Sequence, residues 1–298
     1  MFRISIFEFI KHMVNFLKFR WLYFVISAIV ILSGLFSIIR WGYIYSIDFV
    51  GGSNLQYQFS KQISRSGAEE VLKSKNILIE NLEISGKNTL LLRTRALEEN
   101  KETDLRNALA KKFGAKATVL QSQTVGPTLG RETIEKTIIA AIIGILGIII
   151  YMSFSFKGIN YAIAAIAAAF HDMLVIFGSY SILSHFFGAQ LDTMFVTAVL
   201  TSLSLSVHDT IVVFDKIREY KKSSSGNVEY FANRALTETM VRSVNNTMTI
   251  VFTLLALVLL GGSTIRFLAT ALLIGTLTGT YSSPFVATPI FVWLEKRK

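Results

Sequence analysis

The sequence predicts an α-helical membrane protein, a six-span bundle with one external α+β domain, and three observations predict it. Of the 298 residues, 52% are hydrophobic and only 17% are charged, against about 25% charge in soluble domains. The apolar residues gather into six runs, each near the ~20 residues that cross a ~30 Å hydrocarbon core as a helix. The stretch 40–136 is instead mixed in charge and patterned like a folded soluble domain.

Ahead of the first run, Phe2, Ile6, Phe9, Ile10, Met13, Phe16 and Leu17 recur at helical spacing with Lys11 and Lys18 between them. This predicts an interfacial cytoplasmic helix within 1–20. The first span is expected over 21–39. It starts basic like a signal peptide, but Ile38-Ile39-Arg40-Trp41 offers no small-residue cleavage site, so it reads as an uncleaved anchor. Within 40–136, alternating residues predict strands at 54–59, 77–84, 89–95 and 117–125. Helices are expected over 66–75, with Ser66 and Glu69 as a capping box, and over 98–113. The order β-α-β-β-α-β is that of a ferredoxin-like domain, a scaffold that names no function by itself. Five further spans follow within 137–294, at 137–154, 158–183, 193–214, 247–265 and 267–294. A cytoplasmic loop at 216–244, helical over 229–242, and a cytoplasmic tail at 295–298 complete the chain.

Lys and Arg set the orientation. The N-terminal tail, the connections after the second and fourth spans and the C-terminus together hold 14 of them, whereas the short connections on the opposite side hold only Arg266. The positive-inside bias therefore puts both termini in the cytoplasm. The net charge of +10 reflects this flanking role and calls for no nucleic acid. With no Cys and four scattered His, disulfides, thiolate nucleophiles and Cys-based zinc sites are excluded, and no metal is expected. The glycines of Thr124-Val-Gly-Pro-Thr-Leu-Gly130 lack the Gly-Lys-Ser/Thr ending of a phosphate loop. No cofactor and no enzymatic activity are expected.

Two adjacent pairs, His171-Asp172 and His208-Asp209, are the ionisable residues inside the six runs. A carboxylate at mid-membrane costs about 2.5–3.5 kcal/mol on insertion scales unless it is paired, protonated or wetted. Helical rise puts Asp209 about 24 Å, Arg242 about 28 Å and His171 about 21 Å below the outer ends of their spans. A His, two carboxylates and an arginine are thus expected in one layer. Thr197, Thr201, Ser204 and His208 form a hydrophilic stripe at i, i+4, i+7 and i+11, flanked by Ser202, Ser206 and Asp209. That pattern suits a water-accessible path to an acid. An Asp beside Arg favours ionisation and one among apolar walls favours protonation, so relative movement of Arg242 and Asp209 would load and release a proton. His171, Asp172 and His208 are candidate relay residues.

Several strings resemble, in order, those of the SecD/SecF family of bacterial protein-export membrane proteins, on its SecF side. They are Asp48-Phe-Val-Gly-Gly52, Val125-Gly-Pro127 with Gly130, Val207-His-Asp-Thr-Ile-Val-Val-Phe-Asp-Lys-Ile-Arg-Glu219, Thr239-Met-Val-Arg242, Gly261-Gly262 with Phe267, and Gly279-Thr-Tyr-Ser-Ser283. The resemblance implies an inner-membrane accessory subunit of the Sec translocase, related to the resistance-nodulation-division exporters. Such a subunit acts with SecD on late stages of preprotein export from the SecYEG channel, driven by the proton-motive force. A YajC-like subunit, the translocating preprotein and membrane lipid are the further partners implied. Asp209 and Arg242 match the family's proton-pathway acid and arginine. Where the family usually has Gly-Tyr-Ser-Ile-Asn before that acid, this chain has Ser204-Leu-Ser-Val-His208, which changes the local hydrogen bonding.

Two competing readings stand beside this one. A half-exporter of lipids or small hydrophobic molecules would also use a membrane acid, and a translocon assembly factor would use its acids only for packing.

Overall fold

The computed structural model describes residues 15–155, 158–223 and 226–297. The interfacial helix expected within 1–20 lies largely outside them; its last residues, Phe16–Phe19, form one 3-10 turn. The chain divides into two compact units, one of residues 45–139 and the other of 1–44 with 140–298.

The smaller unit contains strands β1 (Gly52–Phe59), β2 (Ile79–Ser85), β3 (Thr89–Thr94) and β4 (Ala117–Val125), with helix α2 (Arg65–Ser74) after β1 and α3 (Glu99–Phe113) after β3. The strands form one antiparallel sheet in the order β2-β3-β1-β4. Alternation decides which face is covered: Leu55, Tyr57 and Phe59 of β1 and Leu90 and Leu92 of β3 pack against Ala68, Val71 and Leu72 of α2 and Leu105 and Leu109 of α3. A bulge in β4 leaves Leu120 without a partner between the pairs Gln56–Gln121 and Tyr57–Val119. The buried Tyr57 hydroxyl donates to Glu102 at 2.9 Å; burial first, and then that carboxylate, push the phenol above the usual tyrosine range.

The helix cap corrects the expectation. Ser64, not Ser66, sits in extended backbone and accepts from the Gly67 N–H at 3.2 Å, while Glu69 pairs with Arg65 at 2.9 Å instead of closing a capping box. Both serines suit a cap by type, but only Ser64 lies at the turn where the chain leaves extended geometry.

Gly51 and Gly52 lead into β1 with φ of +75° and +131°. A Cβ on Gly52 would lie 2.8 Å from the Thr94 carbonyl oxygen, and one on Gly130 would lie 2.8 Å from that of Phe49. Gly52→Ala is therefore expected to cost about 1–3 kcal/mol, read as lost hydrogen-exchange protection in β1 and β3. Unchanged protection would show that the close approach is dispensable.

The larger unit is helical: α1 (Arg20–Trp41), α4 (Pro127–Ser155, which begins in the smaller unit), α5 (Ile159–Phe187), α6 (Thr193–Ser223), α7 (Val228–Leu260) and α8 (Ser263–Ser282), then a π turn (Ser283–Ala287) and α9 (Thr288–Glu295). Among the described residues, five helices are long and apolar enough to cross a membrane. The sixth apolar run, expected as one helix, is the succession α8, π turn, α9. Pro284 and Pro289 remove two backbone donors. The Ser283 carbonyl, in place of a regular α-helical bond, accepts from the Thr288 N–H and the Thr288 hydroxyl, the widened pattern of a π-bulge. The expected cytoplasmic loop at 216–244 is also corrected. α6 continues to Ser223, and α7 runs without a break through the stretch that separated the expected 229–242 helix from the fifth span. No Pro or Gly interrupts 228–260, so polar residues at 242–246 change the helix's surroundings but not its backbone.

Helix α1 shows the inside-out pattern of a membrane span. Its buried residues are Ser27, Gly34 and Ser37, while Trp21, Leu22, Ile29, Leu32, Phe36 and Ile39 are exposed. Small residues let it meet α5 closely, since without a hydrophobic drive in lipid, close packing and hydrogen bonds hold helices together. A Cβ on Gly178 would lie 2.6 Å from Gly34 Cα, and Ser37 and Ser181 share a hydrogen bond of 2.9 Å.

Two apolar clusters fill the bundle. One contains Ala162, Ala165, Phe214, Ile217, Phe231, Ala235 and Phe291, and the other Ile176, Tyr180, Phe195, Val199, Leu203 and Ala271. Along α5 the buried His171 and Asp172 fall between the two clusters. These two ionisable side chains thus share one level of α5, while buried Ser181 and Ser184 lie further along the same helix.

Candidate functional site

Asp172 is the centre of that level. It is 1% exposed and touches three partners: His171 Nδ1 at 2.9 Å, and the hydroxyls of Ser206 on α6 and Ser282 on α8, which donate to Oδ2 at 2.5 and 2.7 Å. The second ring nitrogen of His171 meets Ser27 of α1 at 2.9 Å. Ser27 reaches the Tyr281 hydroxyl at 3.4 Å, and Tyr281 donates to the Tyr23 carbonyl at 2.8 Å. One carboxyl group thereby ties α1, α5, α6 and α8 together. Its three partners offset the cost of withdrawing it from water.

Asp209 has a separate partner. It is half-buried, and Oδ2 accepts from Ser243 of α7 at 3.0 Å. It lines a cavity of about 210 Å³ with His208, Thr239, Arg242, Ser243 and Asn246. A second cavity of about 410 Å³ lies against Gly144, Gly147 and Tyr151 of α4 and Ser204 and His208 of α6. Arg242 shares the smaller cavity but makes no ion pair with Asp209 within 4 Å; Ser243, one residue on, holds the acid.

The acids of the expected layer belong to two hydrogen-bonded clusters that both draw on α6, one through Ser206 and one through Asp209. Ser206 joins the Asp172 cluster, whereas His208, Asp209 and Arg242 face the cavities. The polar stripe divides in the same way: Thr197, Thr201, Ser204 and His208 are exposed, and Ser202 and Ser206 are buried. Thr197 uses its hydroxyl within its own helix, on the Thr193 carbonyl at 3.0 Å. Ser27, Ser243, Tyr281 and Ser282 are site residues that sequence reasoning passed over. Tyr281 and Ser282 lie in the Gly279–Ser283 string but carry no charge to mark them, and Ser27 is one small residue in an apolar run. Among the described residues, no group of three or more His, Cys, Asp or Glu could hold a metal ion.

Residues 105–297 match the family model described as "Protein export membrane protein SecD/SecF, C-terminal", and 45–63 match the "SecD/SecF GG Motif". The chain belongs to the SecD/SecF family. It is 37% identical to a protein translocase subunit SecF of Anaerolinea thermophila over 94% of each chain, and 36% identical to one of Thermobaculum terrenum over 96% of this chain and 95% of that one. The crystal structure of SecDF from Thermus thermophilus, described as a translocon-associated membrane protein, superposes with a TM-score of 0.84 at 29% identity, over 97% of this chain and 39% of that one. This SecD/SecF chain therefore spans about two fifths of the SecDF chain that it matches. In it, the matched Gly-Gly pair is Gly51-Gly52, whose backbone geometry and close contacts account for both glycines without any ligand.

Proposed function

We propose that this chain is an accessory subunit of the Sec protein translocase that, with SecD, couples the proton-motive force to late stages of preprotein export across the bacterial inner membrane. Asp209 is the proton carrier, Arg242 its mobile charge partner and His208 a hydrating neighbour. The single observation that carries this reading is a carboxyl group on a long apolar helix, half-buried and opening on a cavity that it shares with an arginine and a histidine. The SecF relatives support the translocase role, and the relatives named SecDF from Thermus thermophilus and Bacillus subtilis, matched over 35% and 37% of their lengths, support SecD as the partner.

The polar face of α6 and α7 supports the same partner. Thr201, Ser204, His208, Arg242, Asn245 and Asn246 are exposed at levels where lipid would leave them without hydrogen bonds. A second membrane subunit and water satisfy them. Six spans, with α8, the π turn and α9 as the sixth, a ferredoxin-like domain outside over 40–136 and both termini cytoplasmic complete the arrangement. The SecYEG channel, a YajC-like subunit, the preprotein and lipid are its surroundings.

Export in vesicles containing this chain and SecD, with the pH and sodium gradients varied separately, tests the reading. Late-stage export should rise with the proton gradient and ignore the sodium gradient. Export indifferent to both would end the energetic role, and a response to sodium alone would replace the proton.

A further inference from the structure

We infer that the two carboxyl groups form one proton-exchange unit, joined across α6 by Ser206 and by a single water held in a small cavity against Thr276. This rests on the proposed proton role of Asp209 and adds a second acid and a connecting site to it.

The cavity is about 20 Å³, lined by Ser206, His208 and Asp209 of α6, Asn246 and Thr247 of α7, and Thr276 and Thr280 of α8, among others. That is room for one water, which needs two to four polar partners. The partners are present. Thr276 is 5% exposed and its hydroxyl has no hydrogen-bond partner among the described residues, an unusual condition for a buried polar group. Other threonines of α7 and α8, such as Thr253, Thr270, Thr278 and Thr280, return their hydroxyls to the carbonyl four residues back, so the exception at Thr276 is local. Asp209 Oδ2 is held by Ser243, and among the described residues nothing donates to Oδ1. Ser206 lines the cavity, and its hydroxyl donates to Asp172 at 2.5 Å.

The transfer balances. Asp209 gives its proton to the water, the water gives one to Ser206 Oγ, and Ser206 passes its own hydroxyl proton to Asp172 Oδ2. One O–H bond breaks and one forms at each intervening oxygen. The net result is a proton moved from Asp209 to Asp172. The other titratable or charged groups facing the unit are His171 on α5, His208 on α6, Arg242 on α7, Tyr281 on α8 and, through its backbone, Tyr23 on α1.

The test is infrared titration of the carboxylic C=O bands in the full chain with SecD in lipid nanodiscs, with bands assigned from Asp172→Asn and Asp209→Asn. Neither a gradient nor a preprotein is present, so a failed export assay and a failed coupling are separate results. In Asp209→Asn, the Asp172 midpoint should move by about one pH unit, the mark of interacting sites. Thr276→Val and Ser206→Ala should each make the two acids titrate independently, and Thr276→Ser, which restores the hydroxyl, should restore the coupling. An Asp172 titration identical with and without Asp209 overturns the inference. So does coupling that survives in Thr276→Val, because it would then act through space and not through the water. If Thr276→Val fails to fold, an uncoupled Thr276→Ser protein overturns it as well.

Discussion

Asp209→Asn is expected to abolish the gradient-dependent part of export while leaving the bundle and its association with SecD intact. Asn is nearly isosteric, and its carbonyl oxygen can still accept from Ser243, whose hydroxyl lies 3.0 Å from the carboxylate; what it loses is the exchangeable proton. One proton crossing 100 mV carries about 2.3 kcal/mol, enough to bias a conformational step by about 50-fold. Gradient-stimulated export should therefore fall toward the rate without a gradient, by a factor of that order. Retained stimulation with normal assembly would mean that the acid only packs, as in an assembly factor. Lost assembly would mean that the same position is structural.

Gly178→Leu should separate α1 from α5. The space that its side chain needs is occupied by backbone, with Gly34 Cα 2.6 Å from where even the Cβ would stand, and backbone cannot rotate aside as a side chain does. We expect a loss of about 3 kcal/mol or more, at the upper end of overpacking costs. The Ser37–Ser181 and Ser27–His171 bonds, each 2.9 Å, should be lost with it. The chain has no cysteine, so Ser37→Cys with Ser181→Cys gives a clean disulfide assay. Cross-linking should be efficient while Gly178 is kept and fall sharply once Gly178→Leu is added. Equal yields in both backgrounds would show that the crossing tolerates the larger residue.

The consequence reaches the acid site, because Ser27 is the contact of His171 on α1. A change at this glycine of α5 should thus alter the Asp172 network before it alters Asp209, whose partner Ser243 lies on α7.

How much was legible in the sequence depends on whether the deciding contact was local. Strand β4 falls where alternation put it, and β1 to β3 fall within two residues of their expected bounds, because period-two burial is written into each strand. The cap of α2 was displaced from Ser66 to Ser64, since a capping serine is defined by the backbone around it and both residues are serines. The break expected between 229–242 and the fifth span is absent because a change from polar to apolar residues need not end a helix. The last apolar run, by contrast, carries Pro284 and Pro289 in plain view, yet their effect required knowing that the Thr288 N–H and hydroxyl take over the Ser283 carbonyl.

The membrane class, the apolar runs, the strand and helix order of 45–139 and the two acids within apolar helices could all be read residue by residue, since each follows from hydrophobic length or periodicity along one segment. Helix packing was needed to show that Asp172 is the buried hub, that Asp209 is held by Ser243 without an ion pair to Arg242, and that α6 supplies a partner to one acid and carries the other. Helical rise gives a residue's depth, but direction around the axis matters only once neighbouring helices are packed, and hydrogen bonds between helices depend on both.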